Sequence, residues 1–235
     1  MNQFRVSTDS FPPIVKNLLI INVLVYIAQI TVGTQIDLTS KLMLWPIFAP
    51  DFLNFKSFRP EQLFTHLFAH SPSSFFHIIF NMFALWMFGR VLENVWGAKR
   101  FLFFYIACGL GAAACHLLVE YIRYEQILVA MEAGNEAAVI RLAQTIGPAL
   151  GASGAIMGVF AAFAYLFPNT ELYIMFIPFP IKAKWAVVGL AAIDLFTGVA
   201  NFQGDNIAHF AHLGGAITGF IIVLIWNKTN RKTLY

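Results

Sequence analysis

Charge is what this chain has least of. Only 11% of its 235 residues are charged, while 59% are hydrophobic. A soluble domain carries about 25% charged residues, so the composition excludes an ordinary soluble fold and points to a membrane-embedded one. Cysteine is scarce as well. Cys108 and Cys115 lie in one apolar stretch, and their number excludes a disulfide framework or a zinc-finger spacing. They read as small packing residues. A net charge of +3 does not suggest a nucleic-acid partner. The sequence shows no convincing internal repeat of the kind many transporters carry.

What is abundant is apolar sequence in long runs. A spanning helix needs roughly 20 mostly apolar residues. Six such segments are legible: Val15–Val32, Ser73–Leu92, Phe101–Tyr121, Ala149–Phe167, Trp185–Ala200 and Ile207–Trp226. The expected fold is therefore an all-α polytopic membrane protein, a bundle of six transmembrane helices over residues 15–227. Segments 1–14 and 228–235 flank it. The first span follows a polar start and lacks a small-residue cleavage site, so it is not read as a signal peptide. With the N-terminus inside, ten of the fifteen Lys and Arg residues fall in inner segments, as the positive-inside bias requires. Both termini are then expected to be cytoplasmic.

Two outer segments remain. Residues 34–72 mix Leu42, Trp45, Phe52 and Phe55 with charges, which suits a loop lying in the membrane interface. Residues 122–147 read as one or two amphipathic surface helices broken at Gly134-Asn135. Trp45, Trp96, Trp185 and Trp226 sit near span ends, as interface anchors do.

Polar residues inside such segments are functional suspects. Ser153 lies about four residues into the fourth span and His212 about five into the sixth. His77 and Asn81 lie about four and eight residues into the second. At about 1.5 Å per residue, all four sit on the order of 6–12 Å below the outer surface. Three helices thus place polar groups at one depth, as an active site in a water-filled outer cavity would require. A serine hydroxyl becomes a nucleophile when a base such as histidine takes its proton. His77, Asn81 and the backbone N–H of Ser153 could donate to an oxyanion. Gly154 with Gly158, and Gly215 with Gly219, are small-xxx-small pairs that let helices approach closely. Packed along them, the fourth and sixth spans would bring Ser153 to His212. No acidic residue appears placed to orient the base, so a Ser–His dyad is expected rather than a triad.

These residues resemble the rhomboid family of intramembrane serine proteases. The resemblance rests on Gly151-Ala152-Ser153-Gly154, on Ala211-His212-Leu213-Gly214-Gly215 with Gly219, and on His77-Ile78-Ile79-Phe80-Asn81. The preceding Phe64-Thr65-His66-Leu67-Phe68-Ala69-His70 also fits, as does Leu85-Trp86-Met87-Phe88-Gly89 with Glu93 and Gly97. It implies the six-span rhomboid-like bundle and hydrolysis of peptide bonds in or near transmembrane segments. It implies Ser153 as nucleophile, His212 as general base, and an oxyanion hole from Ser153, His77 and Asn81. Gly151 would keep the loop before Ser153 close-packed. No cofactor or metal is implied. Substrates would be membrane proteins entering laterally from the lipid bilayer, through a gate at the fifth span capped by residues 201–206. The short form suggests a bacterial inner membrane. Where some relatives have a tyrosine that stacks on the histidine, this chain has Met157, whose thioether can also pack on a ring. The relatives' Trp-Arg pair in the first outer loop is matched at best by Phe58-Arg59.

The remaining polar groups are assigned structural roles: His66 and His70 as a loop brace, His116 in the third span, and Asp194 and Glu93 paired within protein. His209 could compete with His212 as the base, but the Ala-His-x-Gly-Gly context favours His212. Two alternatives stay open. One is a metal-dependent hydrolase built on His66, His70, His77 and His209 or His212. The other is a non-catalytic relative that binds membrane segments.

Overall fold

The computed structural model describes residues 10–173, 178–200 and 208–229. The first span is α1 (Pro13–Ile30). Short helices α2 (Gly33–Ile36), α3 (Leu38–Leu42) and α4 (Gln62–Thr65) shape the outer loop. The second span joins α5 (Phe75–Ala84) to α6 (Arg90–Trp96) through a π-helical turn at Leu85–Gly89. Then come α7 (Ala98–Glu132), α8 (Glu136–Ala143) and α9 (Ser153–Leu166). A two-residue hairpin, β1 (Glu171–Leu172) and β2 (Ile181–Lys182), leads into α10 (Ala183–Ala200), and α11 (His209–Thr229) follows. Among the described residues, five helices are long and apolar enough to cross a membrane, with α9 as a shorter apolar sixth.

Two spans differ from their expected form. The fourth was expected to start at Ala149, but its helix begins at Ser153. Ala149 instead forms an antiparallel bridge with Leu44 in the outer loop, with N···O distances of 2.8 and 2.9 Å. A helix of 14 residues is about 21 Å long, shorter than the roughly 30 Å hydrocarbon core. Alone it is too short to cross that core, and the irregular loop before it makes up the difference. The third span does not stop near Tyr121. Helix α7 continues for 35 residues to Glu132, so the first half of the 122–147 insertion is its extension. The break falls at Gly134-Asn135 as expected. Gly134 takes a positive φ of 64°, and Asn135 caps α8 by accepting from the N–H of Ala138.

Helix α11 is the hub, packed against α7 and α9. Small residues make that possible. A Cβ on Gly215 would overlap the carbonyl of Gly154, and one on Gly219 would lie 2.6 Å from Gly158 Cα. The two cysteines face the same seams: Cys108 abuts Gly158 and Cys115 abuts Gly214. Both are free thiols, as their reading as packing residues implies. The inner end is filled by aromatics. Trp96 stacks edge-on against Trp226 at 5.2 Å and on Phe104 at 4.9 Å. Trp96 is buried, so it is a core residue and not an interface anchor. Trp185 is 62% exposed and keeps the anchor reading.

Glu93 has a structural use for its buried charge. Its two carboxylate oxygens accept from the N–H groups of Ile14 and Val15 at 2.9 and 2.7 Å. Those are orphan donors of the first turn of α1, where a negative charge also meets the positive end of the helix dipole.

The outer loop is a folded unit. Gln29 bridges α1 to it, donating to Thr39 Oγ1 at 3.0 Å and to the His70 carbonyl at 2.9 Å, and accepting from the His70 N–H at 3.0 Å. Thr65 Oγ1 donates to the Leu42 carbonyl at 2.8 Å. Phe58 packs near Leu44, while Arg59 pairs with Glu61 at 2.8 Å on the exposed side. Phe52 remains half exposed, as an interface-lying loop requires.

The glycine seam predicts that Gly215→Ala lowers stability by at least about 1–3 kcal/mol, the range for overpacking a tight contact. Thermal unfolding in detergent reads this. A second prediction concerns pH. Burial holds the His66 imidazole down at about 4, and burial with the nearby His77 does the same for His70. The unfolded chain takes up protons at both positions as the pH drops below the ordinary value of about 6.5, while the folded chain does not until about 4. Stability is therefore complete above pH 6.5 and falls as pH drops towards 4. His66→Gln should flatten part of that fall in denaturation curves taken across this range.

Candidate functional site

Ser153 is the first residue of α9, and the preceding loop is held from three directions. Ala149 bridges to Leu44. The Gly151 N–H donates to the His66 carbonyl at 2.9 Å. The Gly147 N–H donates to Glu120 Oε2 at 3.1 Å. Glu120 is buried on α7 and paired with Arg123 at 2.9 Å, and Arg123 donates in turn to the Thr145 carbonyl at 2.6 Å. Gly151 has φ 123°, a conformation that other residues adopt only with strain. A Cβ there would also stand 3.0 Å from His77 Nε2 and 3.6 Å from Ser153 Oγ. The ring nitrogen and the hydroxyl thus flank one small space, which a side chain at 151 would fill.

On α11, His212 Nε2 lies 2.8 Å from Ser153 Oγ. Its other nitrogen, Nδ1, is 3.2 Å from Asp194 Oδ1 on α10. The same carboxyl oxygen is 2.7 Å from His209 Nδ1, which also lies 3.1 Å from Thr197 Oγ1. No acidic residue was expected beside the base, and Asp194 stands there, paired within protein as expected of it. With Nδ1–H donated to the carboxyl group, His212 Nε2 is left as an acceptor facing the serine hydroxyl. A hydroxyl, an imidazole and a carboxylate in this order can move a proton off the serine oxygen.

His77 and Asn81 reach the same place from α5. The Ser71 N–H donates to His77 Nδ1 at 3.4 Å. In the neutral ring the proton is then on Nε2, the atom beside Gly151. Asn81 is buried, and its Nδ2 donates one hydrogen to the His77 carbonyl at 2.9 Å. Its amide also borders the cavity. Helix α9 contributes the unpaired N–H groups of its first turn, where the positive end of its dipole lies.

Ser153, His212, His209, His77, Asn81 and Gly151 line one cavity of about 1710 Å³, together with Met157. Sideways the cavity runs between Ala84 and Met87 of the second span and Val187 and Leu190 of α10, so its lateral wall is apolar. Met157 packs with Phe160, Ala161 and Ala216, one turn below His212. The His212 ring is held by Ser153 and Asp194 at its two nitrogens, with the His209 ring edge-on to it at 6.4 Å. Gly215 and Gly219 lie in the helix seam beneath the cavity. Residues 201–206, expected to cap it, lie outside the described residues.

His66 and His70 stay with the outer loop, although the His70 ring lies 5.2 Å from that of His77. Nδ1 of His66 bonds the Gln62 carbonyl at 2.7 Å, and Nδ1 of His70 bonds the Phe68 carbonyl at 3.3 Å. Both brace the loop, as expected. Among the described residues, the one His/Asp set within reach of a single ion is Asp194, His209 and His212. The four-histidine metal centre considered from sequence is therefore not assembled.

Asp194 was within reach of the depth argument. Helix α10 ends on the outer side at Ala200, six residues beyond Asp194, or about 9 Å at 1.5 Å per residue. That is the depth of Ser153 and His212. Asp194 differs from them in lying on a helix that ends, rather than begins, at that side. Glu120 and Arg123 gave no comparable signal, because their partners are backbone groups of an irregular loop.

Comparison with known proteins identifies the family. Residues 58–228 match the Rhomboid domain. The chain is 32% identical over 170 residues to the human presenilin-associated rhomboid-like protein, mitochondrial, covering 70% of this chain and 38% of that one. Rhomboid protein 1, mitochondrial, of Saccharomyces cerevisiae is 30% identical over 153 residues, covering 65% and 38%. RHOMBOID-like protein 12, mitochondrial, of Arabidopsis thaliana is 29% identical over 204 residues, covering 82% and 57%. The chain thus spans between about two fifths and three fifths of the length of these relatives. All three are mitochondrial proteins of eukaryotes, so the expectation of a bacterial inner membrane finds no support in them. With its apolar helices and the match over most of its length, this chain is an integral membrane protein of the rhomboid family.

Proposed function

We propose that the chain is an intramembrane serine endopeptidase that cleaves peptide bonds in or near transmembrane segments. The observation that carries this is the 2.8 Å approach of Ser153 Oγ to His212 Nε2 on the wall of a cavity that is polar at its outer end and apolar at its side. Ser153 Oγ attacks the scissile carbonyl carbon while His212 Nε2 takes the hydroxyl proton. Asp194 accepts from Nδ1–H, holds the ring in the reactive tautomer and stabilises the imidazolium that forms. The oxyanion is met by the Ser153 N–H, His77 Nε2–H and the free hydrogen of the Asn81 amide. Collapse of the intermediate passes the proton from His212 to the leaving amine. Water, activated by the same nitrogen, then hydrolyses the acyl-enzyme. A reading without catalysis leaves unexplained why both Ser153 and His212 are present and bonded.

Substrates of this kind are membrane proteins that reach the site sideways from the lipid bilayer, between the second span and α10. Helix α10 supports that route, because Val188, Ile193, Leu195, Phe196 and Val199 along it are exposed and available to lipid. The charge distribution supports both termini on the side that holds ten of the fifteen Lys and Arg residues, with the cavity opening on the opposite side. The reaction described needs no cofactor.

Cleavage of a single-span model substrate by purified protein in detergent tests the proposal. Ser153→Ala and His212→Ala should each reduce cleavage by at least about a thousandfold, and close to equally, because the pair acts as a unit. Cleavage that survives Ser153→Ala would overturn it. Asp194→Asn should lower kcat by roughly 10- to 1,000-fold with KM and thermal midpoint unchanged, as expected of a residue that positions the base. A parallel fall in the thermal midpoint would assign Asp194 to structure alone.

A further inference from the structure

The Asp194 cluster holds more ligand atoms than a serine mechanism needs. One histidine suffices as a base, yet two imidazoles converge on one carboxyl group. We propose that Asp194, His209 and His212 form a binding site for a divalent cation of the zinc class, and that a bound ion switches the serine centre off.

The geometry is that of a three-ligand set. One ligand atom from each of Asp194, His209 and His212 lies within 4.8 Å of the others, and Nδ1 of each histidine faces Asp194 Oδ1. Two of the separations are 2.7 and 3.2 Å. Ligands about 2.0–2.2 Å from a tetrahedral zinc ion stand on the order of 3.3 Å apart, so small side-chain shifts accommodate one. Two nitrogens and one oxygen suit zinc or a neighbouring transition metal over calcium or magnesium, which take oxygen donors. His209 and His212 are three residues apart on α11 and therefore share a face. Helix α10 comes close there, since a Cβ on Gly198 would stand 3.1 Å from His209 Cβ. Asp194 and His209 are each 8% exposed, and the cavity borders both histidines. Ions can thus arrive through water and bind in a low-dielectric place. The Thr197 hydroxyl, already beside His209, is a neutral oxygen at hand for a further position.

The consequence for chemistry follows from the tautomer, and it rests on the reading of His212 as the base. In the active arrangement the His212 proton is on Nδ1, and the Nε2 lone pair faces Ser153. A metal ion takes the Nδ1 lone pair, so the ring proton moves through solvent to Nε2, with no net gain or loss of protons by the neutral imidazole. His212 then donates to Ser153 Oγ and can no longer take its proton. The ion also neutralises Asp194, so the carboxylate no longer stabilises an imidazolium.

The test uses the full chain in detergent, freed of metal by a chelator that is then removed. Zinc chloride is titrated by calorimetry into the Ser153→Ala protein, which keeps all three ligands and needs no activity. One zinc per chain is expected. His209→Gln and Asp194→Asn, each in that background and each checked by its thermal midpoint, should weaken binding at least about tenfold. Zinc should also stop substrate cleavage by the unsubstituted protein over the same concentration range, and chelator should restore it. Absence of stoichiometric binding, or affinity unchanged in both variants, overturns the site. Binding without loss of cleavage overturns the switch. A protein that binds zinc but cleaves nothing even after chelation would retain the site, and the failure would lie with the proposed protease activity.

Discussion

The distance between Ser153 and His212 is set by how closely two helix backbones approach in a medium that does not drive them together. Lipid tails are as apolar as leucine, so association there depends on packing and backbone proximity. Gly154 and Gly158 on α9 meet Gly215 and Gly219 on α11, and at Gly215 there is no room for even one carbon. A side chain in that seam would separate the helices by a distance comparable to a hydrogen bond. The serine and the histidine sit immediately above the seam, so their 2.8 Å contact is a direct readout of it.

The second constraint is the short α9. Because it starts at Ser153, the segment before it must carry unpaired backbone groups at membrane depth. Such backbone survives there only when protein or a wet cavity satisfies it. Leu44, the His66 carbonyl and Glu120 do so for Ala149, Gly151 and Gly147. The outer loop and the extended α7 thus act as scaffold for the residue that needs placing. The same arrangement opens the cavity on whose wall Ser153 stands. The π turn at Leu85–Gly89 helps shape its flank, setting Phe88 edge-on between Phe160 and Phe163 of α9 at 4.8 Å from each ring.

Much of this was legible in the sequence, for identifiable reasons. Apolar runs mark spans because every backbone group in lipid must be paired within its own helix. Helix rise converts position in a run into depth, which is how Ser153, His212, His77 and Asn81 fell together. The glycine pairs named the helices that touch. What stayed hidden depends on rotation and on irregular backbone. Hydropathy places Asp194 at the right depth but does not say which way α10 turns it. It also treats residues 149–152 as helix, because their composition is apolar although their hydrogen bonds go to the loop. Partners of a carboxylate such as Glu120 on a distant backbone N–H leave no periodic trace.

The central claim is that Ser153 is a nucleophile activated by His212. Its most direct test is to react the folded protein with a fluorophosphonate, which phosphonylates activated serine hydroxyls, and to map the adduct by peptide mass. The account predicts a single adduct on Ser153, lost when His212 is replaced by alanine. Labelling elsewhere, or labelling of Ser153 that persists without His212, would contradict it.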